Sequence, residues 1–148
     1  MARFQFPLDR VLRWRSVELA TEEAKLKLLL QEQLQLQSML AAVSTERSKL
    51  IFSLGSMPNL SGDDLRTVTA SGLRLRRRAE TLGQRLQRCG RDLGVQRKKY
   101  GEAKRRVRLL EELKDRRLDE WKHEESKLLE ELASESFLAS WNRERQQN

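Results

Sequence analysis

Few residues in this chain could carry out chemistry, and their spacing does not bring them together. The single histidine, His123, and the single cysteine, Cys89, are too few and too distant in sequence for a zinc site or a thiol–imidazole pair. Adjacent glutamates such as Glu124 and Glu125 point in different directions on a helix and lack a pocket that would shift a carboxyl pKa. Segment 55–62 contains glycines but no following Lys-Ser or Lys-Thr, so it is not a phosphate-binding loop. We therefore expect no enzyme, no metal and no cofactor.

Composition favours an elongated helical protein over a globular domain. Of 148 residues, 35% are charged and 5% are aromatic, and one cysteine excludes an intramolecular disulfide framework. No uncharged apolar run approaches the roughly 18–20 residues that a membrane span needs. No apolar signal-peptide core is visible at the N-terminus. These features predict a soluble intracellular protein.

Proline and glycine divide the chain into two long arms. Pro7 and Pro58 are the only prolines, and a proline inside a helix breaks its hydrogen bonding. Gly55, Asn59 and Gly62 surround Pro58, and Ser61 followed by Asp64 forms a candidate helix cap. The sequence predicts one coiled-coil domain (1–148), with helix 1 at about 7–54, a turn at about 55–62, helix 2 at about 63–140 and a disordered tail at about 142–148.

Apolar residues recur every seven positions in both arms, which is the repeat of a coiled coil. Ten of 14 seam sites are apolar in the first arm and twelve of 14 in the second. The first-arm sites are Leu8, Leu12, Arg15, Leu19, Glu22, Leu26, Leu29, Gln33, Leu36, Leu40, Val43, Arg47, Leu50 and Leu54. The second-arm sites are Leu65, Val68, Gly72, Leu75, Ala79, Leu82, Leu86, Cys89, Leu93, Gln96, Tyr100, Ala103, Val107 and Leu110.

A short turn between the arms makes them antiparallel neighbours. The predicted fold is therefore all-α, a long antiparallel two-helix coiled-coil hairpin whose second helix is the longer. Two registers fit the repeat. One pairs Leu54 with Val68, and therefore Leu8 with about Lys114, and the other pairs Leu50 with Leu65. We prefer the first because it leaves a compact turn.

The second arm extends beyond the first by roughly 20–30 residues. At a rise of about 1.5 Å per residue, this is roughly 30–45 Å of helix. The apolar stripe of the second arm continues, with an inserted step, through Trp121, Leu128 and Leu132, where the first arm cannot cover it, and Phe137 follows. Phe4 and Phe6 are expected to fold back over part of this stripe. We expect the rest to bind another protein. The alternatives are packing on the N-terminus and pairing in a homodimer.

Charge is segregated along the chain, with a net charge of +2 for residues 1–60, +10 for 61–110 and −4 for 111–148. The basic middle suggests nucleic acid, an anionic membrane or an acidic protein as partner. Nucleic acid is unlikely on this pattern, because the basic residues flank seam positions and no aromatic stacking platform alternates with them. An acidic protein is preferred. The exposed basic face comprises Arg74, Arg76, Arg77 and Arg78.

The two ends of the chain have distinctive sequences. In segment 4–23, Phe4, Phe6, Leu8, Val11 and Leu12 lead directly into a charged helix. This opening resembles that of the FliJ family of flagellar export proteins. Segment 108–137 is similar to the family's C-terminal helix, with a leucine-rich and lysine-containing stretch, an aromatic at Trp121 and then a run of glutamates. The resemblance covers about 55 residues at the two ends of the chain, and the middle matches only in its period.

This resemblance implies a non-enzymatic component of the flagellar type III export apparatus, required for flagellum biogenesis, motility and chemotaxis. Such a protein resembles the central stalk of rotary ATP synthases. The implied partners are the export ATPase hexamer, the cytoplasmic domain of the export gate protein and export chaperones. No small-molecule substrate is implied. The location would be the cytoplasm, peripherally at the inner membrane, with membrane contact only through the apparatus.

By the same analogy, surfaces can be assigned to partners. The ATPase-ring surface would comprise Phe4, Phe6, Trp121, Leu128, Leu132 and Phe137. The gate surface would comprise Met57 and Leu60 near the turn. An injectisome-type stalk is a related reading. The alternatives outside this class are a nucleic-acid-associated coiled coil using residues 73–108, and a generic scaffold in which the second arm pairs with itself.

Overall fold

Two α-helices account for nearly the whole chain. The computed structural model describes residues 2–148, with α1 at Asp9–Ser56 (48 residues) and α2 at Gly62–Gln147 (86 residues). No strand occurs among these described residues. The helices pack on each other as an antiparallel hairpin, which confirms the predicted all-α fold with a longer second helix. In the described chain, neither helix is apolar enough over a sufficient length to cross a membrane.

The turn is shorter than predicted, and a reciprocal cap closes it. α1 continues through Gly55 to Ser56, and residues 57–61 form the connection around Pro58. The Asp64 backbone N–H donates to Ser61 Oγ (3.2 Å), while the Ser61 N–H donates to Asp64 Oδ2 (3.3 Å). This capping box satisfies two helix-end donors and confirms the predicted cap.

The C-terminal boundary of α2 differs from the sequence prediction. The helix extends to Gln147, so residues 142–147 are helical where a disordered tail was predicted. No proline follows Pro58 and no glycine follows Gly101 to stop the helix. Arg145 in the last turn also complements the negative end of the helix dipole.

The chain divides into two compact units. The hairpin unit is Leu19–Glu102, and the terminal unit includes residues 2–18 together with Ala103–Asn148. The core of the hairpin unit is formed by Leu36, Val43, Leu82, Cys89 and Leu93. All five are predicted seam positions, so the seven-residue repeat identified the buried stripe of both helices.

Contacts within the hairpin unit fix its register. A side chain at Gly72 would lie 3.9 Å from Leu50 Cδ2. This pairing belongs to the register with Leu54 opposite Val68, so the alternative that places Leu50 opposite Leu65 is wrong. Farther along the unit, the Cys89 thiol donates to the Leu29 carbonyl oxygen at 3.5 Å.

The terminal unit has its own small core and its own ion pairs. Phe6, Ala103 and Val107 are buried. The unit also contains an ion pair of 3.2 Å between Lys114 Nζ and Asp9 Oδ1, next to the predicted facing position Leu8. A second pair of 3.4 Å joins Arg106 Nη1 to Glu18 Oε1. Both pairs are partly exposed, so solvent screens them and they contribute little to stability.

Candidate interaction surfaces

The overhang surface of the terminal unit lies in the C-terminal part of α2, where six large apolar side chains are exposed. We define it as Trp121, Leu128, Leu129, Leu132, Phe137, Leu138 and Trp141. Trp121 is half-buried, whereas Leu128, Leu132 and Phe137 are 59%, 61% and 69% exposed. From residue 126 to 148 every side chain is exposed. Leu128 and Leu132 lie one turn apart on the same side of α2, and apolar side chains left open to water in this way are typical of a protein-binding surface.

The N-terminal segment covers only the beginning of this surface. The rings of Phe4 and Trp121 are 5.9 Å apart between centroids and tilted by 52°, a favourable geometry for an aromatic pair. Phe6 is buried in the same unit. The expected folding back of Phe4 is therefore observed, and it stops before Leu128.

The overhang surface is acidic as well as apolar. Residues 119–135 contain seven acidic side chains against two lysines and His123. A partner helix that covers the leucines would meet this negative charge, so basic side chains beside an apolar groove complement it best. Phe137 and Trp141 lie beyond the acidic stretch, and Arg145 stacks over the Trp141 ring at 5.3 Å.

The turn and the basic face lie in the hairpin unit. Met57 and Leu60 are exposed in the turn, at 46% and 45%. Arg74, Arg76, Arg77 and Arg78 are exposed on α2. Arg76 forms an ion pair of 3.5 Å with Glu80, and Arg74 donates to Ser71 Oγ at 3.3 Å.

A shallow groove adjoins the basic face. It has a volume of about 700 Å³ and a floor that includes Leu50 and Leu75. Glu46, Lys49, Arg74 and Arg78 also line it. The apolar floor and the mostly cationic rim of this groove suit an acidic polypeptide better than a small apolar ligand.

A buried polar contact between the helices was not anticipated from the sequence. Gln96 is buried, and its amide Nε2 donates to the Glu22 carbonyl oxygen at 3.0 Å and also to the Glu22 carboxylate. Both residues had been placed in the seam, but their pairing was not predicted. Polar residues at facing seam positions were the available signal, because such pairs commonly specify register.

Within residues 2–148, the Asp9 carboxyl and the Cys89 thiol have a shifted pKa. Hydrogen bonds from Lys114 and then Arg13 lower the pKa of the Asp9 carboxyl, which is partly exposed. Burial raises the pKa of the Cys89 thiol, and the charges of Glu32 and Asp92 raise it further. A buried thiol with a raised pKa is a poor nucleophile. Among residues 2–148, no cluster of three potential metal ligands occurs.

Comparisons with known proteins do not assign the chain to a family. No protein-family model, no curated protein and no solved structure matches it.

Proposed function

We propose that this chain is a non-enzymatic, central-stalk-like component of the flagellar type III protein export apparatus. In this proposal the overhang surface, with Phe4 and Phe6, binds the ring of the export ATPase. Residues near the turn, including Met57 and Leu60, bind the cytoplasmic domain of the export gate protein. The chain would act in the cytoplasm, at the inner membrane through the apparatus alone, and would promote export of flagellar proteins.

One observation carries this proposal. The two segments that resemble the FliJ family, 4–23 and 108–137, are distant in sequence, yet Phe4 packs on Trp121 within one unit. Their combined surface leaves Leu128, Leu132 and Phe137 open. The exposed apolar side chains at the C-terminal part of α2 support a docking role, because exposed apolar patches commonly mark protein-binding sites.

ATP hydrolysis by the export ATPase tests this function. The ATPase, purified from the same source, should hydrolyse ATP faster when the full-length chain is added. The Leu128→Ala/Leu132→Ala variant should give less stimulation at equal concentration, because both side chains would lie in the interface. Leu73→Ala, an exposed leucine of the hairpin unit, is the matched control. If the chain neither binds nor stimulates the ATPase, the proposal is wrong.

The gate assignment needs its own measurement. Immobilised chain should retain the cytoplasmic domain of the export gate protein, and Met57→Ala/Leu60→Ala should reduce retention. The same substitutions should leave ATPase stimulation unchanged, because the two residues belong to the hairpin unit. If the immobilised wild type and variant retain equal amounts of the gate domain, Met57 and Leu60 do not form the gate-binding surface.

The basic face supports nucleic-acid association as a second candidate function. Arg77 and Arg78 are exposed, and no ion pair involves either of them within the described chain. Binding of this kind would weaken steeply with salt, because each neutralised phosphate releases counterions. Replacing Arg76, Arg77 and Arg78 with glutamine should flatten that salt dependence. Absence of DNA or RNA binding at low salt would exclude this candidate.

A further inference from the structure

The outer face of α1 in the hairpin unit carries almost no charge. Its positions farthest from the seam between residues 20 and 48 are all exposed, and one of the thirteen is charged. They are Ala20, Thr21, Ala24, Lys27, Leu28, Gln31, Leu34, Gln35, Ser38, Ala41, Ala42, Thr45 and Ser48. Leu28 and Leu34 are 66% and 67% exposed.

The outer face of α2 in the same unit has the opposite character. Seven of its fourteen corresponding positions between residues 73 and 102 are charged, and all fourteen are exposed. Both faces belong to one chain in which 35% of residues are charged. The contrast is therefore specific to α1, and depletion of charge is the compositional mark of an interface core.

The residue types on this face are nearly symmetric about Gln31, and identical at Leu28/Leu34 and Ala20/Ala42. Gln31 is at its centre, with Leu28 and Leu34 three residues to either side. Beyond the leucines come polar Lys27 and Gln35, followed by small residues on both sides. The small residues pair as Ala24 with Ser38, Thr21 with Ala41 and Ala20 with Ala42.

Such a near-symmetric arrangement suits an isologous contact between two copies. In a two-fold contact the same patch occurs on both subunits, so residue i of one copy meets residue j of the other and the reverse. Two antiparallel copies of α1 centred on Gln31 would place each Leu28 against the partner copy's leucine at position 34. The small residues on either side would let the two backbones approach closely.

The near absence of charge also indicates which kind of partner would bind the outer face of α1. A partner helix with charged side chains would lose their hydration on this face and would find only Lys27 to pair with. A second copy brings an equally uncharged surface. At the centre, the Gln31 amide has both donors and acceptors, so it can hydrogen-bond its own symmetry mate.

We propose that two copies of this chain associate antiparallel through the outer face of α1, around a two-fold axis at Gln31. This goes beyond the proposed function and does not depend on it. The contact uses residues 20–42 and none of the residues assigned to the ATPase.

Sedimentation equilibrium of the full-length protein tests the association. The wild type should show a concentration-dependent mass that rises from 17.4 kDa towards twice that value. Leu28→Glu/Leu34→Glu should remain at the monomer mass, because four carboxylates would be buried around the axis. Leu73→Glu, exposed on the outer face of α2, is the matched control and should dimerise as wild type does. A wild type that stays monomeric at every concentration overturns the proposal, as does loss of the dimer in the control.

Cross-linking with a short bismaleimide tests the orientation. Gln31→Cys should give a covalent dimer by itself. Ala24→Cys alone should not, because its symmetry mate lies roughly 21 Å away along the helix, at about 1.5 Å per residue. Ala24→Cys mixed with Ser38→Cys should cross-link. The unsubstituted chain, whose only thiol is the buried Cys89, gives the background. Cross-linking of Ala24→Cys to itself would indicate a parallel pair and would contradict the proposal.

Discussion

Phe4 lies on Trp121, with ring centroids 5.9 Å apart, although 116 residues separate them in the chain. This contact joins the segment before α1 to the last third of α2 within the terminal unit. It also marks where coverage of the apolar stripe ends, because every side chain after Glu125 is exposed. The overhang surface therefore begins at a packed aromatic pair and continues as an open helix face.

Phe4→Ala should expose Trp121 to water. An aromatic pair contributes about 0.5–1.5 kcal/mol beyond the burial of its area, so the variant should be modestly less stable. Tryptophan emission should shift to longer wavelength, because Phe4 covers the half-buried Trp121, whereas Trp14 and Trp141 are already 59% and 50% exposed. Phe52→Ala, at an exposed position of the hairpin unit, should leave the emission unchanged. An unshifted spectrum for Phe4→Ala would argue against the contact.

Gln96→Leu should destabilise the hairpin unit by about 1–3 kcal/mol. It removes the amide donor from the Glu22 carboxylate and carbonyl, and a poorly solvated acceptor then loses its partner. The double variant Glu22→Leu/Gln96→Leu should recover much of that loss, because an apolar pair requires no hydrogen bonds. Urea unfolding of the single and double variants gives the coupling energy between the two residues. Additive effects would mean that the observed pair does not interact energetically.

Acid should weaken the contacts of Asp9. Its pKa is lowered in the folded chain from an ordinary value of 3.8, first by the hydrogen bond from Lys114 and then by that from Arg13. Ionised Asp9 therefore stabilises the folded state above its unfolded pKa, and this contribution is lost as the pH falls through the folded pKa. Urea unfolding of wild type and Asp9→Asn should differ most near neutral pH and converge once the pH has fallen below the lowered pKa of folded Asp9. A difference that stays constant across this range would contradict the ion pair.

Cys89 should react slowly with thiol reagents in the folded protein. The thiol is buried in the hairpin core, burial raises its pKa, and only the thiolate is nucleophilic. Labelling with a chromogenic disulfide at pH 8 should therefore be slow in buffer and fast in denaturing urea. Equal rates in the two conditions would mean that α1 does not cover the residue.

The seven-residue repeat was sufficient to predict the fold and the buried stripe. Leu36, Val43, Leu82 and Leu93 are all buried at positions that the repeat assigned to the seam. A coiled coil allows this because each seam position follows from its period alone, without knowledge of distant contacts. The preferred register also followed from the length of turn that it left around Pro58.

Features outside the repeat were harder to predict. The pairing of Gln96 with Glu22 depends on the axial offset of the two helices. The sequence repeat fits two offsets that differ by one heptad. The helical state of residues 142–147 depends on the absence of a stop signal and not on a positive pattern. The spacing of apolar residues does not reveal the outer face of α1, because the distinguishing feature of that face is its near absence of charge. Its signal is nevertheless present in the sequence, at Leu28, Gln31 and Leu34.

The most direct test of the proposed function is the affinity of the export ATPase for the overhang surface. Fluorescently labelled full-length chain should bind the ATPase, and Leu128→Ala/Leu132→Ala should weaken binding at least about tenfold, because truncating buried interface anchors costs upwards of 1 kcal/mol each. Leu73→Ala should bind as wild type does, and circular dichroism should show that both variants remain helical. Equal affinity of wild type and the double variant, or no binding of the wild type, would contradict a stalk that docks through the exposed end of α2.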